Sequence, residues 1–176
     1  MHESVMQFVT DHTDNWVRGL DVLEVGSYNV NGTVRPTIEE LQPASYLGID
    51  FRPGPGVDDV RDITKPEHFP EGPDSYDLIV CCEVLEHVED WRAAINTMRS
   101  LLKPSGVLLL TTRSLGFPLH EYPGDYWRFS VLDMRCIFAG WVDVSVLNDG
   151  QVPGVFVVAR KAPSLDTIHV YRMPGQ

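Results

Sequence analysis

The run Tyr76–Cys82, YDLIVCC, is apolar almost without a break. A strand with one wet face alternates polar and apolar residues, whereas a strand covered on both faces reads as a continuous apolar run. This segment therefore asks for a packing layer on each side of a sheet. A second such run, VLLLTT, spans 107–112. Between them lies a helical pattern over 91–102, with Trp91, Ile95, Met98 and Leu102 recurring on one face and Asp90 placed to cap it. Lys103-Pro104-Ser105-Gly106 is a stop signal.

The flanking chain continues the alternation. Residues 4–18 read as an amphipathic helix, with a Ser4/Gln7 capping box, Val5, Val9 and Trp16 on one face and Gly19 at its end. DVLEVG (21–26) and SYLGID (45–50) read as strands, 34–41 as a short helix and 57–60 as a short strand. Ser130 and Asp133 form a second capping box, and Gly140 closes that helix. The runs 141–147 and 154–160 are joined by a connection too short for a parallel crossover, so they are expected to pair antiparallel. Alternation of this kind predicts a three-layer α/β/α sandwich. It fills residues 1–161 as a single domain, with a long substrate-side loop at 113–129 and a weakly patterned tail at 162–176.

Composition narrows the function classes. The net charge of −11 argues against a general phosphate-backbone binder, although a local patch of Arg35, Arg52, Arg113 and Arg128 stays open. No apolar run approaches the ~20 residues of a membrane span. The start, MHESVMQFV, has neither the basic flank nor the apolar stretch of a secretory signal. Three cysteines, two of them adjacent at Cys81 and Cys82, make a poor disulfide framework and fit a reducing compartment; a cytoplasmic location is expected. Neighbours in a strand point to opposite faces, so both read as core residues.

The first strand runs into Glu24-Val25-Gly26-Ser27-Tyr28-Asn29-Val30-Asn31-Gly32. A strand-to-loop junction of this type is where an α/β sheet holds a nucleotide-like ligand. It matches neither G-x-G-x-x-G nor a phosphate-binding P-loop, which favours a ligand without pyrophosphate. A tight structural turn is the alternative. Asp50 ends the second strand at the spacing where an acid accepts hydrogen bonds from ribose hydroxyls. Asp62 is either a neighbour of an adenine amino group or a charged loop residue.

With these residues in place, the chain resembles the class I S-adenosylmethionine-dependent methyltransferases. Four segments carry the resemblance: VLEVGSYNVNG, YLGIDFRPGPGVDDVRDI, YDLIVCCEVLEHVEDWRAAINTMRSLLKPSGVLLLTTRS and HEYPGDYWRFS. It implies a Rossmann-like, mostly parallel seven-stranded sheet with an antiparallel terminal strand, and with S-adenosyl-L-methionine as cofactor. The short segment between Asp50 and Tyr76 predicts a reduced third strand. The first loop departs from the commonest glycine pattern, holding Tyr28 and Val30 where glycines usually stand. The resemblance implies that Glu24 and Gly26 flank the methionine part, with Ser27 and Gly32 in the same binding loop. Asp50 would hold the ribose, Phe51 would lie against the adenine, and Asp62 and Ile63 would border it. Cys82, Glu83 and His87 would line the site, His87 being alternatively a packing residue under the helix.

Methyl transfer from a sulfonium is an in-line displacement dominated by positioning, and a hydroxyl acceptor also needs a base. The loop after the 107–112 strand offers His120, Glu121, Tyr122, Asp125, Tyr126, Trp127 and Arg128. His120 is the expected base, with Tyr126 and Arg128 on the substrate side. The alternative is that DYWRF docks the loop, with Trp127 and Phe129 buried and Asp125 paired to Arg128. Spacing reveals no metal-ligand set. The expected activity is methyl transfer to a small molecule or glycan on oxygen, by a monomer or homodimer. A nucleic-acid or protein methyltransferase and a non-catalytic cofactor-binding module remain as alternatives.

Overall fold

The structure, a computed structural model, describes residues 1–120 and 124–163. Glu121, Tyr122 and residues 164–176 of the expected tail lie outside the described residues. The strands are β1 (Asp21–Val25), β2 (Ser45–Asp50), β3 (Asp59–Val60), β4 (Tyr76–Cys82), β5 (Leu102–Arg113), β6 (Val142–Asn148) and β7 (Gly154–Arg160). The helices are α1 (Glu3–His12), α2 (Arg35–Glu39), α3 (Trp91–Leu101) and α4 (Val131–Ile137). One seven-stranded sheet runs in the order β3-β2-β1-β4-β5-β7-β6. Pairing is parallel from β3 to β5, and β7 is antiparallel to both β5 and β6.

The apolar run at β4 is explained by what covers it. Ile79 and Cys81 pack with Ile95, Met98 and Leu101 of α3 and with Met134 of α4. Leu78, Val80 and Cys82 pack on the opposite face with Val5, Phe8 and Val9 of α1 and Ile38 of α2. The two adjacent cysteines thus divide between the two cores. Asp90 caps α3 by accepting from the Ala93 amide, and the Ser130/Asp133 capping box starts α4.

Four local expectations are corrected. The first helix stops at His12 rather than running to residue 18. Thr13 turns its hydroxyl back onto the Val9 carbonyl at 2.6 Å, and the chain continues into a 3-10 turn at Asn15–Val17. Trp16 is exposed and shares no buried face with Val5 and Val9. Ser4 forms no capping box; its hydroxyl donates to Asp149, 145 residues away, at 2.8 Å. Finally, β5 starts at Leu102, because Leu102 already pairs with Tyr76 of β4 before the register shift that follows. The third strand is reduced to two residues, as expected, and only a 3-10 turn at Pro66–His68 stands before β4. No helix among the described residues is long and apolar enough to cross a membrane.

Candidate active site

A cavity of about 520 Å³ opens at the carboxyl ends of β1, β2, β4 and β5, where ligands of open α/β sheets bind. Glu24, Gly26, Ser27, Tyr28, Asp50, Phe51, Cys82, Glu83, His87, Arg113 and His120 all line it.

The β1–β2 wall is built by backbone. Gly26 has φ +79°, and a Cβ there would stand 2.1 Å from Val84 Cγ2. The turn therefore needs glycine both for its conformation and for its space. The amides of Gly26 and Ser27 both donate to the Ile49 carbonyl at 2.9 Å, which ties the loop to the end of β2. Asn29 Oδ1 accepts from the Gly32 amide at 2.9 Å and shapes the far side of the loop. Glu24 is buried and accepts from the Tyr46 hydroxyl at 2.7 Å. Burial pushes its carboxyl above the usual value, against that hydrogen bond and the charge of Arg35. Asp50, at the end of β2, is likewise pushed up by burial, opposed by backbone hydrogen bonds from Arg52, Tyr28 and Phe51. Phe51 is exposed at the rim, with the Arg52 guanidinium 5.1 Å from its ring centre.

The β4–β5 wall is built by side chains. Glu83 follows β4 at φ +59°, a conformation that costs a non-glycine residue about 1–2 kcal/mol. Its amide donates to the Thr111 carbonyl at 3.0 Å, and its carboxylate accepts from Thr111 Oγ1 at 2.8 Å and pairs with Arg113. Arg113, at the end of β5, is almost fully buried, and its guanidinium lies 4.3 Å from the Phe117 ring centre. Glu86 is completely buried, with Oε2 accepting from Thr112 Oγ1 at 2.9 Å. Burial pushes the carboxyls of both Glu83 and Glu86 up.

His120 enters from the loop. Its Nδ1 lies 3.1 Å from Asp125 Oδ2, and its amide donates to the same oxygen at 2.9 Å. Burial and the neighbouring His87 hold its imidazole below the usual value, against the pull of Asp125. A neutral ring donating Nδ1–H to Asp125 leaves the Nε2 lone pair free.

Four expected site residues are elsewhere. Asp62 is not at the cavity; its carboxylate closes on the Thr64 amide at 2.9 Å and hydroxyl at 2.6 Å. Ile63 is buried in the core with Leu23 and Phe69. Tyr126 does not line the cavity and is half exposed. Arg128 is a docking residue: it pairs with Asp125 and donates to the Pro118 carbonyl at 3.0 Å and the Trp127 carbonyl at 2.8 Å. Phe129 is buried, but Trp127 is 37% exposed and is tied by its indole N–H to the Val88 carbonyl at 3.0 Å. The sequence reading missed Glu86 and the wall positions of Tyr28, Val84 and Phe117. It noted Arg113 only as part of a surface patch. The acidic pair spaced i, i+3 directly after the strand was the signal available for Glu86.

A family model described as "Methyltransferase domain" matches residues 4–140. The ubiquinone biosynthesis O-methyltransferase of Pseudomonas paraeruginosa (strain PA7) is 32% identical over 116 residues, covering 56% of this chain and 49% of that protein. The same-named protein of Xanthomonas campestris pv. campestris is 41% identical over 68 residues, 39% of this chain and 25% of that protein. The chain thus spans half or less of the length of these curated relatives. The Burkholderia thailandensis 1,6-didemethyltoxoflavin-N1-methyltransferase, solved with S-adenosylhomocysteine, superposes with a TM-score of 0.70 at 14% identity, over 91% of this chain and 79% of that one. A SAM-dependent methyltransferase from Aquifex aeolicus gives 0.67 at 15% identity, over 90% and 92%. At such identity these two structures bear on the fold alone.

Proposed function

Because the chain belongs to the methyltransferase-domain family, we propose that it transfers a methyl group from S-adenosylmethionine to an oxygen of a small molecule or glycan. The observation that carries this reading is one cavity lined by the strand-end acids Glu24 and Asp50 and also by His120. The naming of curated relatives as O-methyltransferases supports oxygen as the acceptor atom.

The residues present fit the cofactor. Ser27 Oγ is buried without a hydrogen-bond partner and lines the cavity, so it awaits one from a ligand. The cavity volume is within the usual range for such ligands. Glu24 and Ser27 would hold the amino-acid end, Asp50 would accept from the ribose hydroxyls, and Phe51 would pack against the flat base. When bound, S-adenosylmethionine supplies a methyl group on a positively charged sulfur that leaves with the bonding pair. The protein's own part is to orient the acceptor, exclude water and receive the acceptor's proton at His120 Nε2. Asp125 fixes that ring's tautomer.

Calorimetry tests the cofactor. S-adenosylmethionine and S-adenosylhomocysteine should bind with Kd on the order of micromolar, and NAD should not bind. Failure of both ligands to bind would defeat the reading. With phenols and monosaccharides as trial acceptors, S-adenosylhomocysteine release should fall roughly 10²–10⁴-fold in His120→Ala, with S-adenosylhomocysteine affinity kept. Unaltered turnover would remove the base role.

A further inference from the structure

Glu86, fully buried behind the β4–β5 wall, comes together with His87 and His120, which line the cavity, each offering one ligand atom within 4.8 Å of the others. The sequence separates them by 33 residues and reveals no ligand spacing. We propose that these three side chains hold a divalent first-row transition cation, of the zinc or manganese type, beside the acceptor position.

Three observations carry the proposal. Glu86 is fully buried, and its Oε1 has no hydrogen-bond partner. A bare carboxylate oxygen in the interior is costly unless something positive meets it. That oxygen faces His120 Nε2 at 4.0 Å, so it points into the cluster. Both imidazoles are held from behind: His87 Nδ1 contacts the Gly124 carbonyl, and His120 Nδ1 contacts Asp125. Donation of the outer N–H to a carbonyl or carboxylate orients a histidine for metal binding and leaves the other nitrogen free.

The donor set chooses the class of ion. Two imidazole nitrogens and one carboxylate oxygen suit zinc, iron, cobalt or manganese, whereas magnesium and calcium prefer oxygen. Ligand atoms around one such cation stand roughly 3 Å apart, so the cluster needs side-chain shifts of about 1 Å to close. Three protein ligands leave positions open toward the cavity. A hydroxyl bound there would be acidified by the cation. With the cation bound, His120 Nε2 would be a ligand and the acceptor's proton would leave to water; the base role of His120 belongs to the cation-free protein. The site stands on geometry alone; its part in activating an acceptor rests on the methyl-transfer reading above.

The test is a titration of tag-free, chelator-treated protein with Co²⁺, followed by visible absorption, with Zn²⁺ as competitor. One Co²⁺ per chain is expected, displaced by Zn²⁺. His87→Ala, His120→Ala and Glu86→Gln should each weaken it at least ten-fold while far-ultraviolet circular dichroism is retained. Glu86→Gln keeps the volume and the bond from Thr112, so it separates ligation from folding. Absence of stoichiometric binding, or affinity unchanged in all three variants, overturns the site. Displacement of Co²⁺ by millimolar Mg²⁺ overturns the nitrogen-ligand assignment. S-adenosylhomocysteine binding is measured in parallel. Its failure with Co²⁺ binding intact would defeat the transfer reading and leave the cation site standing.

Discussion

The two walls of the cavity are made in different ways. On the β1–β2 wall, backbone does most of the work: a glycine at positive φ, two amides on one carbonyl, and acids at strand ends only 26 residues apart. On the β4–β5 wall, buried charged side chains from separate segments depend on one another. Arg113 pairs with Glu83 and lies 3.8 Å from Asp149, which is also held by Ser4 of α1. A wall of backbone tolerates loss of one side chain; a wall of mutually compensating charges does not.

The strongest way to break this contrast is at Arg113. Arg113→Met leaves the buried carboxylates of Glu83 and Asp149 uncompensated, and should destabilise the protein by about 3–5 kcal/mol in denaturant unfolding. A loss below ~1 kcal/mol, the range of exposed pairs, would mean that this wall is no more interdependent than the surface.

Asp50→Ala probes the other wall. S-adenosylhomocysteine affinity should fall by about 1–3 kcal/mol, roughly 5–150-fold, because ribose hydroxyls lose their acceptor. The unfolding midpoint should barely move. A large loss of stability with affinity preserved would reverse the assigned character of the wall.

The smallest effect is expected at Glu24. Its carboxyl is pushed above the ordinary value of 4.5 by burial. Such a group contributes its full stability below its unfolded value, and that contribution is lost as pH rises through the higher folded value. Wild type should therefore lose stability relative to Glu24→Gln as pH is raised from 4 toward neutrality. A flat difference, or one growing in favour of wild type, would show that Tyr46 and Arg35 outweigh burial.

Legibility follows the same division. Glu24, Gly26, Ser27 and Asp50 were readable as neighbours in one cavity because a strand end, a glycine turn and an acid are local features with one geometric outcome. Asp62 does not line the cavity, because its own Thr64 satisfies it two residues away. His120 was readable as a histidine in a long loop, but not as a neighbour of Glu86 and His87. Glu86 is enclosed by a segment well ahead in the chain: the Tyr126 amide donates to its carbonyl at 2.8 Å. Arg113 looked like a surface cation and proved to be the buried counter-ion of the acidic wall.

The sequence by itself determined the layers, the strand order along the chain, the antiparallel last pair and the glycine turn after β1, because periodicity and turn chemistry act over a few residues. Only the tertiary structure decided that Glu83 and Asp149 share Arg113 and that His120 faces Glu86. Those contacts join residues brought together by the packing of the loop against the β4 and β5 ends, and burial there, not spacing, sets the strength of each charge.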